Sequence, residues 1–191
     1  MSTRTIATQR AAMNIPTGRL AVWWVLVSEI VIFGGVIASY VLHRLAHVEW
    51  AEQAAYTNTW IGAFNTFVLL TSSLSAVLAH QAAEKGNGRK AANLLYLTCL
   101  GGLVFLGVKS YEWATEIGHG FTLQSGGFWS YYYTAAGLHA FHVIAGMAVM
   151  VWVASTARKN QELHRVENIG IYWHFVDLVW IFLFPLLYIA K

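Results

Sequence analysis

Five apolar stretches constrain this 191-residue chain more than any other feature, because each is close to the roughly 20 residues that a helix needs to cross a bilayer. They are Leu20–Leu42, Thr59–His80, Ala91–Val108, Tyr131–Thr156 and Gly170–Ala190. A segment in lipid has to satisfy its own backbone polar groups, and an α-helix does so. The alternating segments of about ten residues that a transmembrane barrel requires are not seen. We therefore predict an all-α, polytopic membrane protein, a bundle of five transmembrane helices.

The composition agrees with this prediction. Apolar residues make up 57% of the chain and charged residues 11%, whereas a soluble domain carries about 25% charged residues. The single cysteine, Cys99, cannot form an intrachain disulfide. The net charge is +3, but the basic residues are segregated by loop, which indicates contact with lipid rather than with nucleic acid.

Lysine and arginine are distributed unequally between the two sides of the predicted bundle. Nine of them lie on one side and three on the other. The nine are Arg4, Arg10, Arg19, Lys85, Arg89, Lys90, Arg158, Lys159 and Arg165, and the three are Arg44, Lys109 and Lys191. The positive-inside rule then places the N-terminus in the cytoplasm and the C-terminus outside.

Two segments follow from this division of the chain. Residues 1–19 are polar, lack the pattern of a removable signal peptide, and are predicted to form a cytoplasmic N-terminal segment. Residues 20–191 are predicted to form the five-helix transmembrane domain. The longest outer loop is expected at about Lys109–Ser130, and its GHG and SGG triplets favour a flexible or tightly turned chain.

Glu29 is predicted to lie near the bilayer midplane, because nine residues of helix at 1.5 Å each place it about 13–14 Å deep. A low-dielectric surrounding disfavours the charged form of a carboxyl group. Glu29 is therefore either a protonatable group that faces a partner or a neutral acid that hydrogen-bonds within the bundle, and the residue alone does not decide. No Lys or Arg is predicted at comparable depth, which leaves His142 as the candidate partner within the chain.

Two pairs of polar residues have the i, i+3 spacing that puts both members on one helix face. His174 and Asp177 on the fifth span predict an internal salt bridge or hydrogen bond that orients the imidazole, with metal ligation as the less favoured alternative. His139 and His142 in GLHAFHVIAG are spaced as metal or haem ligands could be. The neighbouring glycines instead favour a close-packed helix interface.

Lys109 and Glu112 lie near the outer end of the third span. A lysine in that place commonly extends its ammonium group to the membrane interface, and this is the interpretation we favour for Lys109. Gly-rich phosphate loops, zinc-type cysteine pairs and nucleophile elbows do not occur in the sequence. The sequence therefore gives no sign of a nucleotide site or of hydrolytic chemistry.

Three motifs together resemble subunit III of the haem-copper respiratory oxidases. They are WWVLVSEIVIFGG at Trp23–Gly35, GLHAFHVIAG at Gly137–Gly146 and, most specifically, YWHFVDLVWIFLFPLLY at Tyr172–Tyr188. The segments Leu69–His80 and Lys109–Trp113 follow the family in the same order. The resemblance covers most of the chain from about Arg19 onward.

The resemblance implies a helical bundle that docks on the large catalytic subunit, on other oxidase subunits and on lipid, in the bacterial cytoplasmic membrane. It implies that this chain carries no cofactor and that haem and copper belong to the partner subunits. The implied role is to stabilise the catalytic subunit and to support proton uptake while oxygen is reduced to water. Glu29 matches the family's carbodiimide-reactive glutamate by its SE context. The other family positions are implied to form a structural polar network: His139, His142, His174, Asp177 and Glu112.

Alternatives follow from where the sequence departs from the family. Many members have two further helices that enclose lipid, so the resemblance here is to a five-helix bacterial form. A shorter relative accompanies nitric oxide reductases and ends in a sequence similar to FPLLY, although Ser28–Glu29 favours the oxidase. A small transporter with Glu29 as proton carrier is a further alternative, as is a stand-alone cytochrome with His139, His142 and His174 as ligands.

Overall fold

The computed structural model describes residues 17–190, and that part of the chain is helical throughout, with no β-strand. Five helices are long and apolar enough to cross a membrane, as the sequence predicts. The helices are α1 (Thr17–Ala46), the short α2 (Trp50–Ala54), α3 (Thr59–Glu84), α4 (Gly88–Gly118), α5 (Gly127–Ala157) and α6 (His164–Phe184), followed by a π-helical turn, Pro185–Ile189.

Four of the long helices form a ring. In this ring α3 packs on α4, α4 on α5, α5 on α6, and α6 back on α3. Short connections make successive helices antiparallel. Small side chains allow α3 and α4 to approach closely, as in other membrane helix pairs, and several are fully enclosed: Ala76, Ala79, Ala91 and Ala92. Large aromatic side chains fill the interior: Phe105, Trp129, Tyr132, Trp173, Trp180 and Tyr188.

Helix α1 lies outside the ring and packs along α6 and α5. Its buried apolar side chains are Leu26, Phe33 and Tyr40, which recur every seven residues and form one narrow stripe. Residues beside the stripe are partly buried, and the opposite face of the helix is exposed, with Trp24 at 69% and Val31 at 70%. Such exposure is expected of a helix whose solvent is hydrocarbon rather than water. The chain therefore presents one helix whose contacts within the protein are sparse.

The third span is longer than the sequence analysis predicts. Helix α4 does not end near Val108 but continues to Gly118, and α5 begins at Gly127. The expected loop Lys109–Ser130 therefore shrinks to residues 119–126, which turn through Gly120 with a φ of +87°. The prediction is wrong because the polar side chains at the end of α4 find partners inside the bundle and so have no need of water.

Side chains satisfy the C-terminal end of α6. Pro185 opens a π-helical turn, and because the helix ends with this turn, the carbonyl oxygens of its last residues have no helical donors. Three side chains of α1 and α3 donate to them over 2.7 to 3.1 Å: Tyr40 to Leu186, Thr59 to Tyr188, and Arg44 to Ala190. These bonds fix the end of α6 to α1 and to the start of α3.

Gly88→Ala should destabilise the bundle, because a Cβ at this position would lie 2.0 Å from the backbone oxygen of Ala157. We expect a loss of about 1–3 kcal/mol in the free energy of unfolding, the usual cost of overpacking. Gly107→Ala is the matched control on the same helix, since a Cβ there meets nothing within 4 Å. Thermal melts of the two variants in detergent test this, and equal midpoints would contradict the close packing of α4 against the end of α5.

Candidate functional site: a glutamate–histidine pair and a lysine-centred cluster

Glu29 contacts His142 inside the membrane-spanning part of the bundle. Glu29 Oε2 lies 2.9 Å from His142 Nε2, across the seam between α1 and α5. The two side chains are only 14% and 11% exposed, and Phe33 packs its ring edge against the imidazole at 5.1 Å between centroids. The structure thus brings together the two residues that the sequence analysis pairs by depth.

The hydrogen bonds of His142 limit where protons can sit in this pair. Nδ1 lies 2.7 Å from the backbone oxygen of Leu138, one turn earlier on α5. A carbonyl oxygen only accepts, so Nδ1 carries a proton, and in a neutral imidazole Nε2 is then bare. Nε2 faces Glu29 Oε2 at 2.9 Å, but Oε2 is buried without a hydrogen bond of good geometry to any donor. A proton bound by the pair lies either on the carboxyl group, facing a neutral imidazole, or on Nε2, facing a carboxylate.

A second polar site is built around Lys109. The ammonium group lies 2.9 Å from Glu112 Oε2 and 2.7 Å from the hydroxyl of Tyr132, and it also contacts the hydroxyl of Tyr188. The ring of Tyr132 lies under the ammonium at 4.3 Å, a cation–π distance. Lys109 is 2% exposed. All three of its N–H donors are thus used by protein oxygens.

The cluster joins three segments of the chain. Lys109, Glu112 and Glu116 lie on one face of α4, Tyr132 comes from α5, and Tyr188 from the π-helical turn. Tyr188 donates to Glu112 Oε2 at 2.9 Å and Tyr132 to Glu116 Oε1 at 3.0 Å. The expected extension of Lys109 to the interface is therefore wrong. Its side chain turns inward because a carboxylate and two phenols replace water there.

The remaining predicted residues do not form a common site: His139 and Asp177 lie in the core, and His174 is half-buried. His139 is fully buried between Phe105 and Trp180, with ring centroids 5.4 and 5.1 Å away, and neither of its nitrogens has a protein partner. His174 Nδ1 is 2.5 Å from Ser73 Oγ on α3. Both carboxyl oxygens of Asp177 lack a protein partner.

The predicted pairing of His174 with Asp177 is not formed, since the imidazole bonds to a different helix. Residues i and i+3 share a face only approximately, and tertiary contacts decide which neighbour each side chain reaches. Between Thr17 and Ala190, no three His, Cys, Asp or Glu side chains come together as metal ligands would.

The sequence analysis missed Glu116, Tyr132 and Tyr188. The spacing of Lys109, Glu112 and Glu116 at i, i+3 and i+7 is visible in the sequence and indicates one polar helix face. Nothing in the sequence distinguishes Tyr132 and Tyr188 from the other tyrosines, because a phenol is ordinary both in a core and at a membrane interface. Only the tertiary structure joins them to α4.

Lys109→Met should destabilise the protein strongly, because it removes the donor to three buried oxygens. Breaking a buried pair by removing one partner costs about 3–5 kcal/mol. The exposed Lys85→Met is the control and should stay within about 0.5 kcal/mol of the unsubstituted protein. The double variant Lys109→Met with Glu112→Gln should melt above Lys109→Met alone, and a double variant that melts lower would contradict the pairing.

Comparison with known proteins identifies the family. The model of the family described as cytochrome c oxidase subunit III matches residues 8–191. Cytochrome c oxidase subunit 3 of Thermostichus vulcanus is 34% identical over 169 residues, 86% of this chain and 83% of that protein. The Corynebacterium diphtheriae protein of the same name is 34% identical over 173 residues, 87% and 84% of the two chains.

The name of a third relative refers to two subunits. The haem-copper oxidase subunit I+III of Aeropyrum pernix is 30% identical over 183 residues, which is 90% of this chain and 22% of that longer protein. The family match spans nearly the whole chain, and the five-helix architecture agrees with it. The chain belongs to the cytochrome c oxidase subunit III family.

Proposed function

We propose that the chain is the non-catalytic subunit III of a proton-pumping haem-copper terminal oxidase. The observation that carries this is the family match over residues 8–191, together with relatives named as oxidase subunits. Those names favour an oxidase over a nitric oxide reductase as the partner enzyme. In this proposal haem and copper belong to the partner subunits, and this chain supplies packing surface and buried protonatable groups.

The proposed partner is the large catalytic subunit of the oxidase. The Aeropyrum relative, named as subunits I and III in one chain, supports a lasting association of the two. Helix α1 and the outer faces of α3 and α4 offer apolar surface for such packing and for lipid, with Trp60 83% and Phe67 65% exposed. Contacts of this kind rest on van der Waals packing rather than on the hydrophobic effect.

We further propose that the N-terminus faces the cytoplasm of a bacterium and the C-terminus the outside. The burial of Lys109 supports the charge argument, since this lysine no longer counts as a loop charge. The count of loop lysines and arginines then becomes nine on the proposed cytoplasmic side and two on the other side. In this proposal residues 1–19 remain a cytoplasmic segment, most of which lies outside the described residues, and residues 20–191 form the membrane domain.

Glu29 is proposed as the protonatable group through which the chain supports proton uptake. It lies twelve residues after the start of α1 at Thr17, near the middle of a 30-residue helix. Its Oε2 lies 2.9 Å from His142 Nε2, at the seam between α1 and α5. The core residues His139, His174 and Asp177, with Glu112, serve structure in this proposal. None of them is assigned a catalytic role.

Affinity purification in mild detergent tests the function. A tagged chain should bring down a large multi-helix protein together with a haem Soret band and oxygen-reducing activity. The haem should remain with the partner when the chain is separated from it. Purification as a lone protein, with no effect of its deletion on oxygen reduction, would contradict the proposal, and a Soret band on the separated chain would favour the cytochrome alternative.

Reporter fusions after Lys90 and after Lys191 test the orientation. Lys90 lies at the cytoplasmic start of α4 in the proposed topology, and Lys191 follows the last span. A reporter active only in the cytoplasm should work after Lys90 and fail after Lys191, because an odd number of spans separates the two sites. Activity at both sites would contradict the five-span topology.

A hydrophobic carbodiimide should label Glu29. This carboxyl is 14% exposed at a seam open to lipid, whereas Asp177 and Glu116 are enclosed at 4% and 6%. Glu29→Gln should abolish the labelling detected by mass spectrometry, and Glu84→Gln, at an exposed position, should leave it unchanged.

His142→Phe distinguishes the two proton positions in the pair. If Glu29 carries the proton, as we expect, the acid stays protonated without the imidazole and labelling continues at a similar rate. Labelling that appears only in His142→Phe would place the proton on the imidazole. Labelling on Asp177 would move the reactive carboxyl to α6.

A further inference from the structure

The lysine-centred cluster contains more negative than positive charge. Lys109 is an ammonium group, because all three of its N–H donors have oxygen partners in the structure. Glu112 is its direct counter-charge at 2.9 Å and also accepts from Tyr188. Glu116 is the second carboxyl, one turn further along α4, and no second cation is within the cluster. With both carboxyls ionised, the enclosed site would carry a net charge of −1.

The hydrogen bonds of the two carboxyls differ. Glu112 Oε2 accepts from an ammonium and from a phenol. Glu116 accepts only the neutral hydroxyl of Tyr132, through Oε1. The neighbouring Tyr133 donates instead to the backbone oxygen of Phe121 at 2.7 Å. Glu116 Oε2 is buried without any partner, as is Glu112 Oε1. An ionised carboxylate with so few donors is strongly disfavoured inside a protein.

We propose that Glu116 is a proton-binding site, a neutral carboxylic acid in the resting protein whose proton exchanges with water at the adjoining loop. Its side chain is enclosed, with the residue 6% exposed. It nonetheless lies two residues before the end of α4 at Gly118, next to the mostly exposed connection of residues 119–126. Its charged and titratable neighbours are Lys109 and Glu112 on α4, and the three phenols Tyr132, Tyr133 and Tyr188.

A proton fits this site better than a metal cation does. The part of the chain that the structure describes brings no third carboxylate, histidine or thiolate to the two glutamates. Any metal ion at Glu116 would also face the ammonium of Lys109 across Tyr132. A proton needs no ligand shell, neutralises the excess charge, and leaves the bonds of Lys109 and Glu112 unchanged.

Infrared spectroscopy of the protein reconstituted with the subunits that co-purify with it tests the proposal. A protonated carboxylic acid gives a C=O stretch band that moves to lower frequency in D₂O. Glu116→Gln should lose one such band, and the exposed Glu84→Gln should lose none. Lys109→Met should gain a band, because Glu112 then loses its counter-charge and takes up a proton.

Stability gives an independent measurement. Glutamine closely mimics a neutral acid, so Glu116→Gln should melt near the unsubstituted protein. Glu112→Gln leaves the ammonium of Lys109 without its counter-charge. This variant should have a melting temperature well below that of the unsubstituted protein. Retention of every acid band in Glu116→Gln would overturn the proposal. A Glu116→Gln variant that melts as low as Glu112→Gln would also overturn it, because the native group would then be the carboxylate. The same conclusion would follow if Glu116→Gln failed to assemble while Glu84→Gln assembled.

Discussion

The buried ammonium group of Lys109 determines how several parts of this bundle meet. In lipid there is no water to solvate a charge, so the protein must supply each donor and acceptor. Glu112 does so from the same helix, Tyr132 from α5, and Tyr188 from the π-helical turn after α6. The end of α4, the start of α5 and the C-terminal turn are held together as a result. One charge thus joins three segments of the chain.

The π-helical turn that delivers Tyr188 is itself held by side chains. The helix ends with this turn, so the carbonyl oxygens of its last residues lack helical donors and accept instead from Tyr40, Thr59 and Arg44. These donors come from α1 and from the start of α3, so the turn connects the peripheral helix to the ring. The position of the Tyr188 phenol beside Lys109 depends on these bonds. The polar groups around the C-terminal turn therefore form a connected set.

The peripheral helix α1 matters for the proposed function because it carries Glu29. Its buried stripe is narrow, and Glu29 lies beside that stripe, against His142 of α5. The glutamate therefore contacts one histidine and stays partly exposed, whereas Glu112 and Glu116 are enclosed in protein. The chain thus contains two kinds of carboxyl site. One lies near the middle of α1, and the other lies close to the end of α4.

The sequence by itself determined the five spans, the family resemblance and the choice of His142 as the neighbour of Glu29. The spans follow from the length and apolarity of each segment. The pairing of Glu29 with His142 follows from their similar depth along their helices, because only residues at similar depth can come into contact. The sequence did not determine the length of α4, the inward turn of Lys109 or the separation of His174 from Asp177. Those depend on which side chains of other helices arrive beside them. A hydrogen bond forms only within about 3 Å, and only the tertiary structure decides which side chains of other helices come that close to a given polar group.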